Sequence, residues 1–305
     1  MRAIVLGAAA GGGFPQWNCG CPNCLSVRAG HAGFEARTQD AIAITAADDP
    51  REGRFVLVNA SPDVLVQIQK TRALWPRAPR HSPIAAIVLT NGDMDHVLGL
   101  FSLRESWPLA LYATAPVLRG LAQQAFLRTL QRFEGQLVMR ELPLGGETAL
   151  ADAAGEPLGI KARAFATPGK LPVHFVGHEE PSPADAIGLA FSGDAGSRSI
   201  AYATACASVD DVDLEGHAAV LFDGTFFRED ELVRLELSKS LAKDMAHVPI
   251  DGEQGSLRGL ANLKTRKIYT HINNTNPILA PDSAERQAVI AAGWEIAFDG
   301  MEIVV

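Results

Sequence analysis

The sequence lacks the features that mark several broad protein classes. It has no Lys/Arg run, and 27 basic residues stand against 35 acidic ones for a formal charge of -8. That balance argues against nucleic acid or an anionic membrane as the main partner. No apolar stretch approaches the roughly 20 residues needed to span a bilayer. The opening Met1–Gly13 has a short apolar run that breaks into glycines, so it reads as a first strand and a loop and not as a signal peptide. Neither a repeat nor a low-complexity linker divides the chain. Cysteine is scarce, with four residues, and three of them (Cys19, Cys21, Cys24) fall within six positions while Cys206 stands alone. This spacing is too tight for ordinary disulfides among themselves and is compatible with metal binding, so a reducing cytoplasm is expected.

What is present is a chain of 305 residues, 47% hydrophobic and 20% charged, long enough to bury a large core as one extended domain or two small ones. Its organising stretch is Ile84–Leu100. The apolar, β-branched run Ile84–Leu89 reads as a fully buried strand and stops at Asn91-Gly92, a turn signal. Asp93, Asp95 and His96 follow where a new apolar periodicity suggests a helix near residues 95–105. Carboxylates and an imidazole delivered to one sheet edge suit a cation; the alternative is an acidic loop with Asp95 as a helix cap.

Elsewhere, strands are expected at 40–45, 54–59, 109–114, 160–166, 187–191, 218–222, 267–270, 295–298 and 302–305. Helices are expected near 64–68, 116–131, 229–241, 252–263 and 281–292, with a turn-rich region over 134–160. Five strand ends present Asp, Lys or His directly after an apolar run, which predicts two packed sheets with helices outside and the polar ends along one rim. The loop Gly11–Cys24 supplies three thiolates in a C-x-C-x-x-C pattern, one short of a closed tetrahedral zinc site; inert or redox-active thiols are the alternative. A dinucleotide-binding reading of its glycines is weak, because the loop runs into cysteines.

Asn91-x-Asp93-x-Asp95-His96, Thr167-Pro168-Gly169-Lys170, Phe191-Ser192-Gly193-Asp194 and Thr270-His271 resemble, in order and approximate spacing, the motifs of the metallo-β-lactamase superfamily. There an H-x-H-x-D-H turn, a T-P-G-H turn, a G-D strand end and a late histidine bind two metals. The resemblance implies an α/β, layered αββα sandwich and a single domain over residues 1–305. Within it, Cys19–Cys24, Asp223-Gly-Thr-Phe226, His247-Val-Pro-Ile250 and His271–Ile278 look like the B-protein family of pyrroloquinoline quinone (PQQ) biosynthesis. They are also similar to the phosphodiesterase branch that includes PhnP and transfer-RNA 3′-processing nucleases.

The departures from the motifs set the expectations for the site. Three histidines of the superfamily's first metal are replaced by Asn91, Asp93 and Lys170; an amide oxygen is a weak ligand and a protonated lysine is none. The first metal site is therefore expected to be lost, with the Lys170 ammonium standing where an ion stood and neutralising Asp93 and Asp194; a solvated loop lysine is the alternative. Asp95, His96 and His271, with Asp194 and Asp93, form the expected ligand set of the second site. Two imidazoles with one or two carboxylates and open positions resemble a non-haem iron(II) site, and zinc or manganese would also fit.

His247 matches a general acid of the phosphodiesterase relatives, and imidazole suits proton transfer near neutral pH. Asp223 is expected to orient a ligand histidine from behind, or else to cap a turn. Asn274 stands where cysteine-bearing relatives carry a fourth zinc ligand, with water or His31 as alternatives. His174 and His178, in a strand-like run, are expected to be structural or surface groups, as are His31, His81 and His217.

Three functions remain open. The resemblance implies an iron-dependent oxygenase that hydroxylates the tyrosine ring of a cross-linked glutamate-tyrosine precursor, with O2 as co-substrate. A metal-dependent phosphodiesterase or other hydrolase is disfavoured by loss of the first metal. The third is a non-catalytic carrier that helps PQQ or its precursor to the periplasm. A homodimer is compatible with any of them.

Overall fold

A computed structural model describes residues 1–176, 180–193, 198–210 and 212–305. Six strands build most of the first sheet: β1 (Arg2–Gly7), β2 (Ala41–Thr45), β3 (Phe55–Val58), β4 (Ile84–Val88), β5 (Leu109–Ala113) and β6 (Leu137–Glu141). The second contains β7 (Glu147–Ala151), β8 (Pro157–Ala166), β9 (Ile187–Ser192), β10 (Ile200–Ala203), β11 (Ala219–Asp223), β12 (Arg266–Thr270) and β13 (Trp294–Ile296), and β14 (Glu302–Val304) returns to the first. The spatial orders are β14-β1-β2-β3-β4-β5-β6 and β13-β12-β11-β10-β9-β8-β7. Strands β3 to β6 run parallel to one another, as do β10 to β13.

The unbroken apolar runs follow from burial on both faces. In β4, Ala86 and Val88 point into the layer between the sheets, with Val5, Ile42, Phe191, Leu221 and Ile268. Ile87 and the following Leu89 point outward, under Val97, Leu100, Val117 and Leu121. Each fully buried aliphatic side chain of this kind stabilises the fold by about 1.5–3 kcal/mol.

The two sheets are tied together at one rim. Ala10 N–H donates to Ile272 O (3.0 Å) and Ile272 N–H to Ala8 O (2.9 Å), while Ile187 N–H donates to Thr90 O (2.9 Å). The C-terminal ends of β4, β11 and β12 therefore converge on this rim, as does the start of antiparallel β2.

Several expected helices are shorter. The one expected near 95–105 is a single turn, Met94–Val97, followed by a tighter turn over Leu98–Leu103. Gly99 explains the change: its N–H donates to Ala60 O (2.9 Å) instead of back along a helix, and a Cβ there would lie 2.0 Å from Ser61 O. The expected 116–131 helix breaks into Ala115–Ala122 and Leu127–Leu130. Leu121 and Leu127 are both buried, yet on one continuous helix they would face about 120° apart.

The 229–241 helix shrinks to Glu231–Arg234, because Glu231 folds inward to accept from Phe227 N–H (2.7 Å) and Leu235 and Leu237 find no core. The 252–263 helix shrinks to Ser256–Gly259, preceded by Ser256 and Leu257 N–H bonds to Pro249 and Ile250 carbonyls. His174 lies in a helical turn, Val173–Phe175, not a strand; His178 falls outside the described residues. The turn-rich 134–160 region holds β6, β7 and the start of β8, and β10 is a short strand that the sequence pattern does not announce.

Candidate metal centre

The turn after β4 runs Thr90-Asn91-Gly92-Asp93 into the one-turn helix. Asp93 occupies the cap position without a side-chain capping bond, and its N–H donates to Asn91 Oδ1 (2.9 Å). The helix turn throws Asp95 and His96 toward the cavity between the sheets, where His271 arrives from the end of β12. Asp95 Oδ2 lies 3.7 Å from Nε2 of His96 and 3.7 Å from Nε2 of His271. The two rings are nearly perpendicular, with centroids 5.6 Å apart.

Asp40, fully buried directly before β2, sits against both imidazoles. Ligand atoms of Asp40, His96 and His271 all lie within 4.8 Å of one another. The Asp40 oxygens accept from Thr270 Oγ1 (3.1 Å) and from the Tyr202 hydroxyl, so this carboxylate places negative charge against both histidines. Burial pushes the Asp40 carboxyl up. Sequence reasoning missed Asp40, whose one signal was an acid leading directly into a fully apolar strand.

Charges in the cluster set one another's protonation. Burial pushes the Asp95 carboxyl up, but the imidazoles of His96 and His271 outweigh it and hold Asp95 well below the usual carboxylate range. Burial pulls His271 down, but Asp95, Asp40 and Asp223 outweigh it and lift the imidazole to about 9. Burial also lifts Asp93, helped by Asp95 and opposed by His96 and Lys170.

A cavity of about 270 Å³ opens over the cluster, lined among others by Asn91, Asp93, Lys170, Val173, Phe226, Met245 and His247. Asp223, at the end of β11, accepts from Cys206 N–H (3.0 Å) and holds His247 Nδ1 at 2.7 Å from its Oδ2. His247 stacks on His271 with centroids 5.4 Å apart. Thr225 joins the two histidines, its Oγ1 standing 3.1 Å from His247 Nδ1 and 2.9 Å from His271 Nδ1. A larger cavity of about 380 Å³ lies at the opposite ends of β4 and β5, beside His81 and Trp107; among the described residues no cluster of metal-ligating groups opens into it.

The structure therefore brings together Asp95, His96, His271, Asp223 and His247. The ligand atoms within 4.8 Å of one another form two histidine clusters, Asp40–His96–His271 and Asp223–His247–His271. Asp95 stands beside the first at 3.7 Å from each Nε2, Asp93 lines the cavity outside both, and Lys170 is an exposed lysine on the cavity wall. Asp194 lies outside the described residues. The sulfurs of Cys19, Cys21 and Cys24 lie within 4.8 Å of one another. Asn274 faces them, its Nδ2 3.4 Å from Cys24 Sγ and 3.6 Å from Cys21 Sγ, while its carbonyl stands 3.7 Å from Cys21 Sγ. Burial pushes the Cys21 thiol up to about 11. At Cys19 burial acts the same way, but bonds from Cys21, Asn274 and Cys24 outweigh it and lower the thiol. His31 is exposed and does not join the three sulfurs.

Two features show that the histidine cluster fits a divalent cation. His96 Nε2 is buried and has no hydrogen-bond partner, although an unpaired buried polar atom costs about 1–3 kcal/mol. Gly11 forms the opposite wall, and a Cβ there would lie 3.0 Å from Asp95 Oδ2. Metal–ligand bonds of about 2.0–2.2 Å put neighbouring ligand atoms roughly 3–3.5 Å apart, and the Asp95 oxygen stands 3.7 Å from each Nε2. Two imidazoles and a carboxylate on one side leave the cavity side open, the donor set of facial iron(II) sites.

Two sheets with outer helices and a ligand cluster at the strand ends define a metallo-β-lactamase fold, and residues 54–272 match the family model described as beta-lactamase superfamily domain. The chain belongs to this superfamily and, within it, to the coenzyme PQQ synthesis protein B family. It is 42% identical to coenzyme PQQ synthesis protein B of Rhizobium meliloti, covering 99% of this chain and 97% of the relative. It is 40% identical to that of Methylobacterium sp. (strain 4-46) over the whole of both chains. The crystal structure of Zn(2+)-bound PqqB from Methylobacterium extorquens superposes with a TM-score of 0.90 at 36% identity, covering 100% of both chains. A diphosphatase of the PhnP family shares the fold at 21% identity, with a TM-score of 0.68 and coverage of 100% of this chain and 97% of that one.

Proposed function

We propose that the chain acts in PQQ biosynthesis as a single 305-residue unit that hydroxylates the tyrosine ring of the cross-linked glutamate-tyrosine precursor. The observation that carries this reading is the buried, partnerless His96 Nε2 facing Asp95 and His271 across an open cavity. Membership of a family named for coenzyme PQQ synthesis supplies the pathway, and the zinc-bound relative supports a metal cofactor in this family. Iron(II), bound by Asp95, His96 and His271, would supply the redox chemistry of oxygen activation; zinc and manganese are the alternative ions. Asp194 is a further ligand candidate, and Cys19, Cys21 and Cys24 would hold a separate structural zinc with Asn274 beside them.

The chain's own residues divide the remaining work. Phe226, Val173 and Met245 give the cavity an apolar wall for an aromatic ring, and Lys170 offers a cation to the precursor's carboxylates. His247, anchored through Nδ1 on Asp223, leaves Nε2 to take a proton from, or return one to, the substrate. The first-metal positions, with Asn91 and Lys170 in place of histidines, speak against two-metal hydrolysis. Among the described residues no helix is long and apolar enough to cross a membrane, and four free cysteines favour a cytoplasmic setting.

The test is anaerobic loading with iron(II), then exposure to oxygen, a reductant and the cross-linked precursor. A product heavier by one oxygen atom, dependent on iron, is expected. Stoichiometric iron binding with the precursor bound but unchanged would overturn the hydroxylase reading in favour of a carrier.

A further inference from the structure

Both metal-facing histidines are held from behind by the same device. After β4, Thr90 directs its backbone N–H (3.0 Å) and its Oγ1 (3.0 Å) to a single atom, Asn59 Oδ1, while Oγ1 stands 3.1 Å from His96 Nδ1. After β11, Thr225 directs its N–H (3.0 Å) and its Oγ1 (2.7 Å) to Asp223 Oδ1, while Oγ1 stands 2.9 Å from His271 Nδ1. Thr90, Asn59, Thr225, Asp223 and both histidines are buried, so water does not compete for these bonds.

The available donors give each proton a preferred direction. A backbone N–H can only donate, so Thr90 N fixes the Asn59 side chain with its oxygen toward Thr90. With the Thr90 hydroxyl proton also directed to that oxygen, its lone pairs are left to receive Nδ1–H from His96. At Thr225 the hydroxyl proton faces two groups that only accept, the Asp223 carboxylate and His271 O at 3.0 Å, so its lone pair receives Nδ1–H from His271. His247 Nδ1 has its own shorter partner in Asp223 Oδ2, 2.7 Å away.

We infer that Thr90 and Thr225 are positioning residues that lock His96 and His271 in the Nδ1–H tautomer, leaving both Nε2 lone pairs directed at the cavity for one shared cation. The inference rests on the metal-centre reading above and adds the residues that preorganise it. The two relays differ in one respect: the His96 relay ends on a neutral amide and the His271 relay on a carboxylate. The second therefore makes its imidazole the more basic ligand.

The test is zinc titration of the wild-type protein and of Thr90→Val, Thr225→Val, Thr90→Ser and Thr225→Ser, with cysteine-held metal counted separately. Loss of an outer partner of this kind typically lowers metal affinity about 10- to 100-fold. Each valine variant should show that loss at the histidines with the cysteine-held metal unchanged, and each serine variant should restore binding. Imidazole nitrogen NMR of the zinc-loaded wild type should show Nε2 ligation with a retained Nδ1–H on both rings. If a valine variant fails to fold, the NMR assignment and the serine variant decide. Wild-type affinity in both valine variants, or ligation through Nδ1, would overturn the relay while leaving the metal centre standing. Absence of histidine-held zinc in the wild type would overturn the metal-centre reading and the relay with it.

Discussion

Asp223 holds His247 through a 2.7 Å contact between Oδ2 and Nδ1, and its other oxygen carries Thr225, which in turn touches His271. One buried carboxylate thus connects the candidate proton-transfer residue with a candidate metal ligand.

Asp223→Asn should accordingly damage two functions together. An amide cannot accept from Cys206 N–H, His247 and Thr225 at once, and a lost buried partner costs about 1–3 kcal/mol of stability. Turnover should fall by about 10²- to 10⁴-fold if His247 is the acid–base group, and metal affinity at the histidines should fall as well. Steady-state kinetics with metal titration checks this; an unchanged metal affinity would separate Asp223 from His271.

The two metal-binding groups should empty independently. Cys24→Ser should remove the metal at the cysteines while the histidine-held metal stays, and His271→Ala should do the reverse. Metal counting on the purified variants reads this directly, and loss of both metals in either variant would contradict two separate sites.

The metal-free protein should lose stability on the alkaline side. His271 is raised from an ordinary 6.5 to about 9 by its carboxylate neighbours against the pull of burial. Its contribution is fully present below pH 6.5 and lost as pH rises through about 9. Asp95 acts in the opposite direction, its contribution being present above the ordinary carboxylate range and lost only in strong acid. Because a cation must displace the His271 proton, metal affinity should rise over the same alkaline interval. Melting curves of metal-free and zinc-loaded protein across that range check both signs; a metal-free melting temperature that climbs through it would contradict the assignment.

Two glycines should respond differently to the same substitution. Gly11→Ala puts a methyl group 3.0 Å from Asp95 Oδ2, so metal affinity should drop with little change in melting temperature. Gly99→Ala puts one 2.0 Å from a backbone oxygen, Ser61 O, and should destabilise the fold by about 1–3 kcal/mol or more. Thermal unfolding beside metal titration distinguishes the two effects.

Much of this architecture was legible because it depends on short-range signals. Apolar β-branched runs ending in Asp, Lys or His marked the strands and the rim where they converge, and the resemblance to the superfamily motifs pointed to Asp95, His96 and His271 as candidates. The helices were less legible, because a periodic pattern such as Val97-Leu98-Leu100-Phe101 does not reveal that Gly99 must pack against the 60–61 backbone. Asp40, Asn59 and the role of Thr90 were hidden for a different reason. Asp40 and Asn59 act on residues distant in sequence, and only the docking of β2 and β3 beside β4 brings them to the site. Thr90 stands near His96 in the chain, but its role depends on Asn59 behind it.

The most direct test of the metal centre is anomalous diffraction at the iron edge from crystals loaded anaerobically with iron(II). The account predicts a peak within bonding distance of His96 Nε2, His271 Nε2 and an Asp95 oxygen, open toward the cavity lined by Phe226 and His247. Iron density at the cysteines alone, or on the His247–Asp223 pair without His96, would contradict it.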